Sequence, residues 1–97
     1  TIEGIIGIDE LIAVQVLEVV KARGYNVPND ISIIGFTNGQ LSKYVTPSLT
    51  MVSQHGKYIG ELTAKLLINR IKNPGLPYET KIVKTSLLVR DSTKKLQ

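Results

Sequence analysis

Gly35-Phe36-Thr37-Asn38-Gly39, followed after four intervening residues by Tyr44-Val45-Thr46-Pro47-Ser48-Leu49-Thr50, is the stretch on which the fold turns. Residues 31–36 leading into it form a short, continuous apolar run after the polar turn Asn26 to Asp30, the pattern of a strand covered on both faces. The Asn38-Gly39 pair has the composition of a two-residue hairpin, but no alternating strand follows it. Leu41 to Tyr44 instead read as a helical turn stopped by Pro47, and Val52 to Gln54 as extended chain. A buried strand therefore ends at a polar loop and feeds a crossover.

On the N-terminal side, residues 3–8 repeat the buried-strand pattern. Asp9 stands where an N-cap belongs, and Glu10 puts a second carboxylate in the first helical turn. From Leu11 to Arg23 the apolar residues Leu11, Ile12, Val14, Val16, Leu17, Val19 and Val20 are spread so widely that this helix is expected to be buried on more than one side. Lys21 and Arg23 suit its negative end, and Gly24 suits the left-handed position just beyond it. Two such strands joined through a helix make a βαβ unit, with parallel pairing and a right-handed crossover. On the C-terminal side, Lys57 to Lys72 read as a helix with Ile59, Leu62, Leu66 and Ile71 on one face, stopped by Asn73-Pro74-Gly75. Lys81 to Arg90 read as strand-like, followed by a polar tail. The class is α/β with a doubly wound parallel sheet.

Of the 97 residues, 42% are hydrophobic and 21% charged, and no apolar run approaches the ~20 residues of a membrane helix. The absence of Cys excludes a disulfide framework, a thiolate nucleophile and Cys-ligated metal. A net charge of +4 raises nucleic-acid binding. Its cations fall in two groups: Lys57, Lys65, Arg70 and Lys72 along the second helix, and Lys81, Lys84, Arg90, Lys94 and Lys95 near the end. No aromatic residues interleave with them for base stacking, so they read as solvated faces and helix-end charge. The chain opens at Thr1 directly into an apolar run, which reads as a start inside a folded unit.

Taken together, Gly7-Ile8-Asp9-Glu10, Val27-Pro28-Asn29-Asp30-Ile31-Ser32-Ile33-Ile34-Gly35, the two stretches quoted first, Val52-Ser53-Gln54 and Leu88-Val89-Arg90-Asp91-Ser92 resemble the effector-binding domain of the LacI/GalR family of bacterial transcription regulators, in which this order of elements is the last third of the polypeptide. The resemblance covers nearly the whole chain. It implies a periplasmic-binding-protein-like type I fold and a fragment contributing to two lobes: residues 1–51 mainly to the C-terminal lobe, 52–85 to the crossover and a helix on the N-terminal lobe, and 86–97 to a return strand and tail. It further implies a cytoplasmic homodimer that takes a small-molecule effector, of carbohydrate type, and meets DNA through an N-terminal domain outside this chain. A secreted sugar-binding protein of a transport system shares the fold and is the alternative. The Tyr44 to Thr50 run and the Leu88 to Ser92 ending look like the repressor branch.

Open parallel sheets place ligands at the carboxyl ends of their strands. Carried over from the resemblance, the ligand candidates are Ile8, Asp9, Thr37 and Gln54. For Asp9, helix capping is a second role that could coexist with the first; for Gln54 the alternative is a surface or hinge-backbone position. Leu41, Tyr44 and Val45 are the dimer-interface candidates, and Val52, Ser53, Val83 and Lys84 the hinge candidates. The chain also departs from the family. Ile8 stands where Asn is common, and Thr37 where Asp is common. A carboxylate accepts several hydroxyl hydrogen bonds whereas a threonine hydroxyl donates one. The lip is thus less polar, which puts a lac-type sugar pose in doubt and opens three alternatives: a phosphorylated or less hydroxylated ligand, a regulatory protein partner, or another use of the cleft.

Catalytic patterns are lacking. His55 is the one imidazole, and Ser53-Gln54-His55 has neither a nucleophile elbow nor an oxyanion glycine pattern. Asp9 and Glu10 are chain neighbours at a helix start and diverge, a poor geometry for a metal or for paired acid/base work. Gly4 and Gly7 are not followed by the third glycine of a phosphate-binding loop. No enzyme activity, metal or cofactor is expected.

Overall fold

The computed structural model describes residues 1–95, so the last two residues of the expected 86–97 return strand and tail lie outside it. Its elements in chain order are β1 (Gly4–Gly7), α1 (Glu10–Ala22), β2 (Ser32–Phe36), β3 (Thr50–Ser53), α2 (Gly56–Lys72) and β4 (Ser86–Leu88). They form one sheet in the order β1-β2-β3-β4. The β1/β2 and β2/β3 pairs are parallel, with Ile5 beside Ile33 and Gly35 beside Met51. The expected α/β class and the parallel βαβ pairing are present.

The βαβ unit forms for local reasons. Asp9 accepts the Ile12 N–H at 2.8 Å, satisfying one of the free donors of the first turn of α1. At the other end Gly24 has φ +87°, and the N–H groups of Gly24 and Tyr25 bond back to the Lys21 and Val20 carbonyls, a Schellman ending. Ala13, Leu17 and Val20 of α1 then pack on Ile33 and Met51, joined by Ile31 and Leu49. The approach of helix to sheet is set by small residues. A Cβ at Gly7 would lie 2.9 Å from the Ala13 Cα, and one at Gly35 would lie 2.7 Å from the Met51 Sδ.

Three expectations change. First, α1 is buried on one side only within this chain; Leu11 and Val19 on its other side remain exposed. Second, the strand read over Lys81 to Arg90 is confined to Ser86–Leu88 and pairs antiparallel, with Ser86 beside Ser53 and Leu88 beside Met51. The chain leaves the sheet at Ser53, runs out along α2, and returns through irregular residues 73–85 to the same edge. A strand that re-enters where its neighbour left must run the opposite way. Third, of the two helices only α1 packs broadly on the strands, and on one face; on the other face Thr50 is covered by residues 90–93, but Ile6 and Leu87 are exposed.

Helix α2 contrasts with α1. None of its residues is buried, and of its expected apolar face Leu62 and Leu66 are half-covered while Ile59 and Ile71 are exposed. It starts at His55 with left-handed φ 54° and no side-chain cap. Residues 90–93 close the other end of the sheet. Ser92, fully buried, accepts the Thr50 N–H at 2.8 Å and donates to the Ile33 carbonyl, while the Ile33 N–H returns to the Ser92 carbonyl at 2.9 Å.

Candidate functional site

The carboxyl ends of β1, β2 and β3 lie on one edge of the parallel part of the sheet, because parallel neighbours in register end together. There β1 ends into Ile8 and Asp9, β2 into Thr37 and Asn38, and β3 into Gln54. Ile8 is 75% exposed. The Asp9 carboxylate caps α1, so the capping role is realised. Thr37 holds a left-handed backbone, φ 67°, unusual for a β-branched residue. Its N–H donates to the Val52 carbonyl at 3.0 Å, and its hydroxyl donates to the Gln54 Oε1 at 3.3 Å. Two of the four ligand candidates, Thr37 and Gln54, are thus joined by a hydrogen bond. Strained backbone persists where neighbouring structure over-determines it, and such places concentrate at binding sites.

Behind this edge lies a hydrogen-bonded network not visible in the sequence. Glu10 accepts the Gly39 N–H at 2.8 Å, the Ser42 N–H at 3.1 Å and the Leu41 N–H at 3.3 Å. Partial burial pushes its carboxyl up, but the Ser42 and Leu41 amides, the Ser42 hydroxyl and the Gly39 amide outweigh that and hold it below the usual 4.5. Arg90 is wired rather than solvated, which corrects its reading as surface charge. Its guanidinium donates to the Leu49 carbonyl at 2.9 Å, the Asn38 Oδ1 at 3.0 Å and the Ser42 Oγ at 3.1 Å. The one hint in the sequence was that Glu10 and Arg90 both stand in quoted motifs; nothing in the spacing placed them on one loop.

The other candidates separate by environment. Leu41 and Tyr44 are exposed on a turn closed by the Tyr44 N–H to the Leu41 carbonyl at 3.0 Å, whereas Val45 packs against the core. Val52 and Ser53 are the paired last residues of β3, and Val83 and Lys84 lie in the irregular return segment. The two passages are linked by the Ser86 hydroxyl and the His55 Nε2, 3.0 Å apart. The strand-end candidates do not close a pocket by themselves. A cavity of about 260 Å³ lies instead at the far end of α2, lined by Leu66, Arg70, Leu76 and Tyr78. Arg70 already occupies itself there, stacked 4.2 Å from the Tyr78 ring and donating to the Leu76 carbonyl.

The sequence pattern of the periplasmic binding protein-like domain matches residues 2–93. Among curated proteins, the ribose operon repressor of Haemophilus influenzae is 31% identical over 83 residues, which is 86% of this chain and 25% of that protein. The transcriptional repressor PurR of Mannheimia succiniciproducens is 32% identical over 88 residues, 91% of this chain and 26% of that protein. A solved structure of a LacI family transcriptional regulator from Enterococcus faecalis with bound ribose superposes with a TM-score of 0.90 at 35% identity, covering 97% of this chain and 35% of that one. A putative LacI-type regulator from Bacillus cereus gives a TM-score of 0.91 at 30% identity, over 95% and 33%. The chain spans about a quarter of the length of the curated relatives it matches.

Proposed function

Since the chain belongs to the periplasmic-binding-protein-like domain family, in its LacI-type branch, we propose that it forms part of the effector-binding and dimerisation unit of a bacterial transcription regulator. A small carbohydrate binds in a cleft bordered by Ile8, Asp9, Thr37 and Gln54. Its binding changes the relation of two lobes, with residues 1–51 mainly in one, 52–85 crossing to the other and 86–97 returning. Val52, Ser53, Val83 and Lys84 form the crossover at which that relation changes. Operator DNA is met in the cytoplasm through a separate N-terminal domain, in a homodimer that uses Leu41, Tyr44 and Val45. The two curated relatives named above are repressors and the two solved structures are transcription regulators, which supports binding rather than catalysis.

The observation that carries this reading is the Thr37 to Gln54 hydrogen bond across the ends of β2 and β3. It sets a donor and an acceptor of neutral chemistry where a hydroxylated ligand can exchange with it. A ligand moves the lobe equilibrium only through different affinities for the two arrangements. Calorimetric titration of the native gene product that carries this chain, with D-ribose, cellobiose and ribose 5-phosphate, tests it. Saturable binding by one of them is expected, weakened about tenfold by Thr37→Ala or Gln54→Ala, the scale of one lost hydrogen bond. Binding by none of them, or binding indifferent to both substitutions, overturns the reading.

A further inference from the structure

One loop is held from two sides by opposite charges that do not pair with each other. Residues 38–44 begin at the strand-end lip, next to Thr37, and finish on the exposed turn of Leu41 and Tyr44. Glu10 gathers the donors of this loop, the amides of Gly39, Leu41 and Ser42. Arg90 gathers its acceptors, the Asn38 amide oxygen and the Ser42 hydroxyl, and fastens them to the Leu49 carbonyl beside β3. The fit around the carboxylate is close: a Cβ at Gly39 would collide with it. Among the described residues the one ion pair is Lys81 with Glu79, so Glu10 and Arg90 each spend their charge on the loop.

Glu10 is also the chain neighbour of Asp9, and both sit in the cap and first turn of α1. Any shift of that helix start carries the carboxylate with it, and the Gly39 and Ser42 amides follow, because a part-buried N–H left without its acceptor is costly, while the exposed Leu41 amide between them is carried along. We propose that Glu10 is a positioning residue through which the lip and the Leu41/Tyr44 surface move as one unit, so that ligand occupancy at the lip reaches the contact with a second copy of the chain. This rests on the reading of the strand ends as a ligand lip and of that surface as the dimer contact. By linkage, the second copy acts on the lip to the same degree.

The test uses the native gene product, with site-resolved amide exchange and sedimentation of wild type and Glu10→Gln. A glutamine can keep one oxygen for the Gly39 and Ser42 amides but turns an NH₂ toward the Leu41 amide and carries no charge, so it replaces the carboxylate only in part. Exchange at residues 39–42 is expected to accelerate about tenfold while α1 beyond Ala13 is unchanged, and self-association is expected to weaken about tenfold. Gly39→Ala, which disturbs the same contact from the loop side with the carboxylate intact, is expected to do both. Unchanged exchange at 39–42 overturns the clamp. Loosened exchange with wild-type self-association leaves Glu10 a local brace and overturns the coupling alone. A monomeric wild type overturns the dimer reading, and the coupling with it.

Discussion

At the residue scale, the charge on Glu10 is the titratable feature that the loop depends on. Its carboxyl is held below the usual 4.5, so the ionised form is the one the folded state favours. A depressed folded-state value contributes stability that is complete above 4.5 and is lost as the pH falls through the lower folded value. Acidification below 4.5 is therefore expected to loosen residues 39–42 first, and the acid-side decline in stability should be shallower in Glu10→Gln; denaturation of both proteins at neutral and acid pH measures this. The contrast between Asp9 and Glu10 shows what a sequence discloses. The Asp9 cap is legible because donor and acceptor are three residues apart. The partners of Glu10 lie 32 residues away at Ser42, and Arg90 reaches 52 residues to Asn38, so only the folded chain brings them together. Thr37 and Gln54 are ligand candidates through the resemblance alone, and their direct bond is not legible in the sequence.

At the scale of elements, two glycines illustrate opposite sides of one rule. Gly7 faces the backbone of α1, and a methyl group there would meet the Ala13 Cα at 2.9 Å, so Gly7→Ala must lift the helix from the sheet. It is expected to cost about 1–3 kcal/mol, as overpacking does. Gly60 lies inside α2 with nothing within 4 Å of its missing Cβ, and Gly60→Ala is expected to stabilise that helix by about 0.5–1 kcal/mol. Urea denaturation of the first and helicity by circular dichroism for the second give the two signs. Both helices were legible: α1 because its cap and stop are local, α2, which has no side-chain cap, because of its helical apolar spacing and its Asn73-Pro74-Gly75 stop. The last strand was legible in kind but not in extent or direction. Apolar alternation reports a buried face and carries no information about which way a neighbour runs.

At the scale of the whole molecule, the chain divides into a packed part and an extended part, with overall dimensions of 59 × 26 × 20 Å. The core gathers around α1, β2 and β3, and α2 contributes no buried residue. Amide exchange of this 97-residue chain is expected to protect β2, β3 and α1 well above α2, since local stability follows local burial. Equal protection along both helices would refute that division. The connection between the parts has its own geometry. The outgoing β3 and the incoming β4 run side by side, about 4.8 Å apart, as antiparallel strands do, with Ser53 opposite Ser86 at the point of exit. A panel hung on a single cord can swing and spin in any direction. Hung on two adjacent cords it keeps one easy rotation, about the line through both attachments, and resists spinning. Over the ~25 Å length of a 17-residue helix, a turn of roughly ten degrees about that line sweeps the far end of α2 through about 4 Å along a single arc.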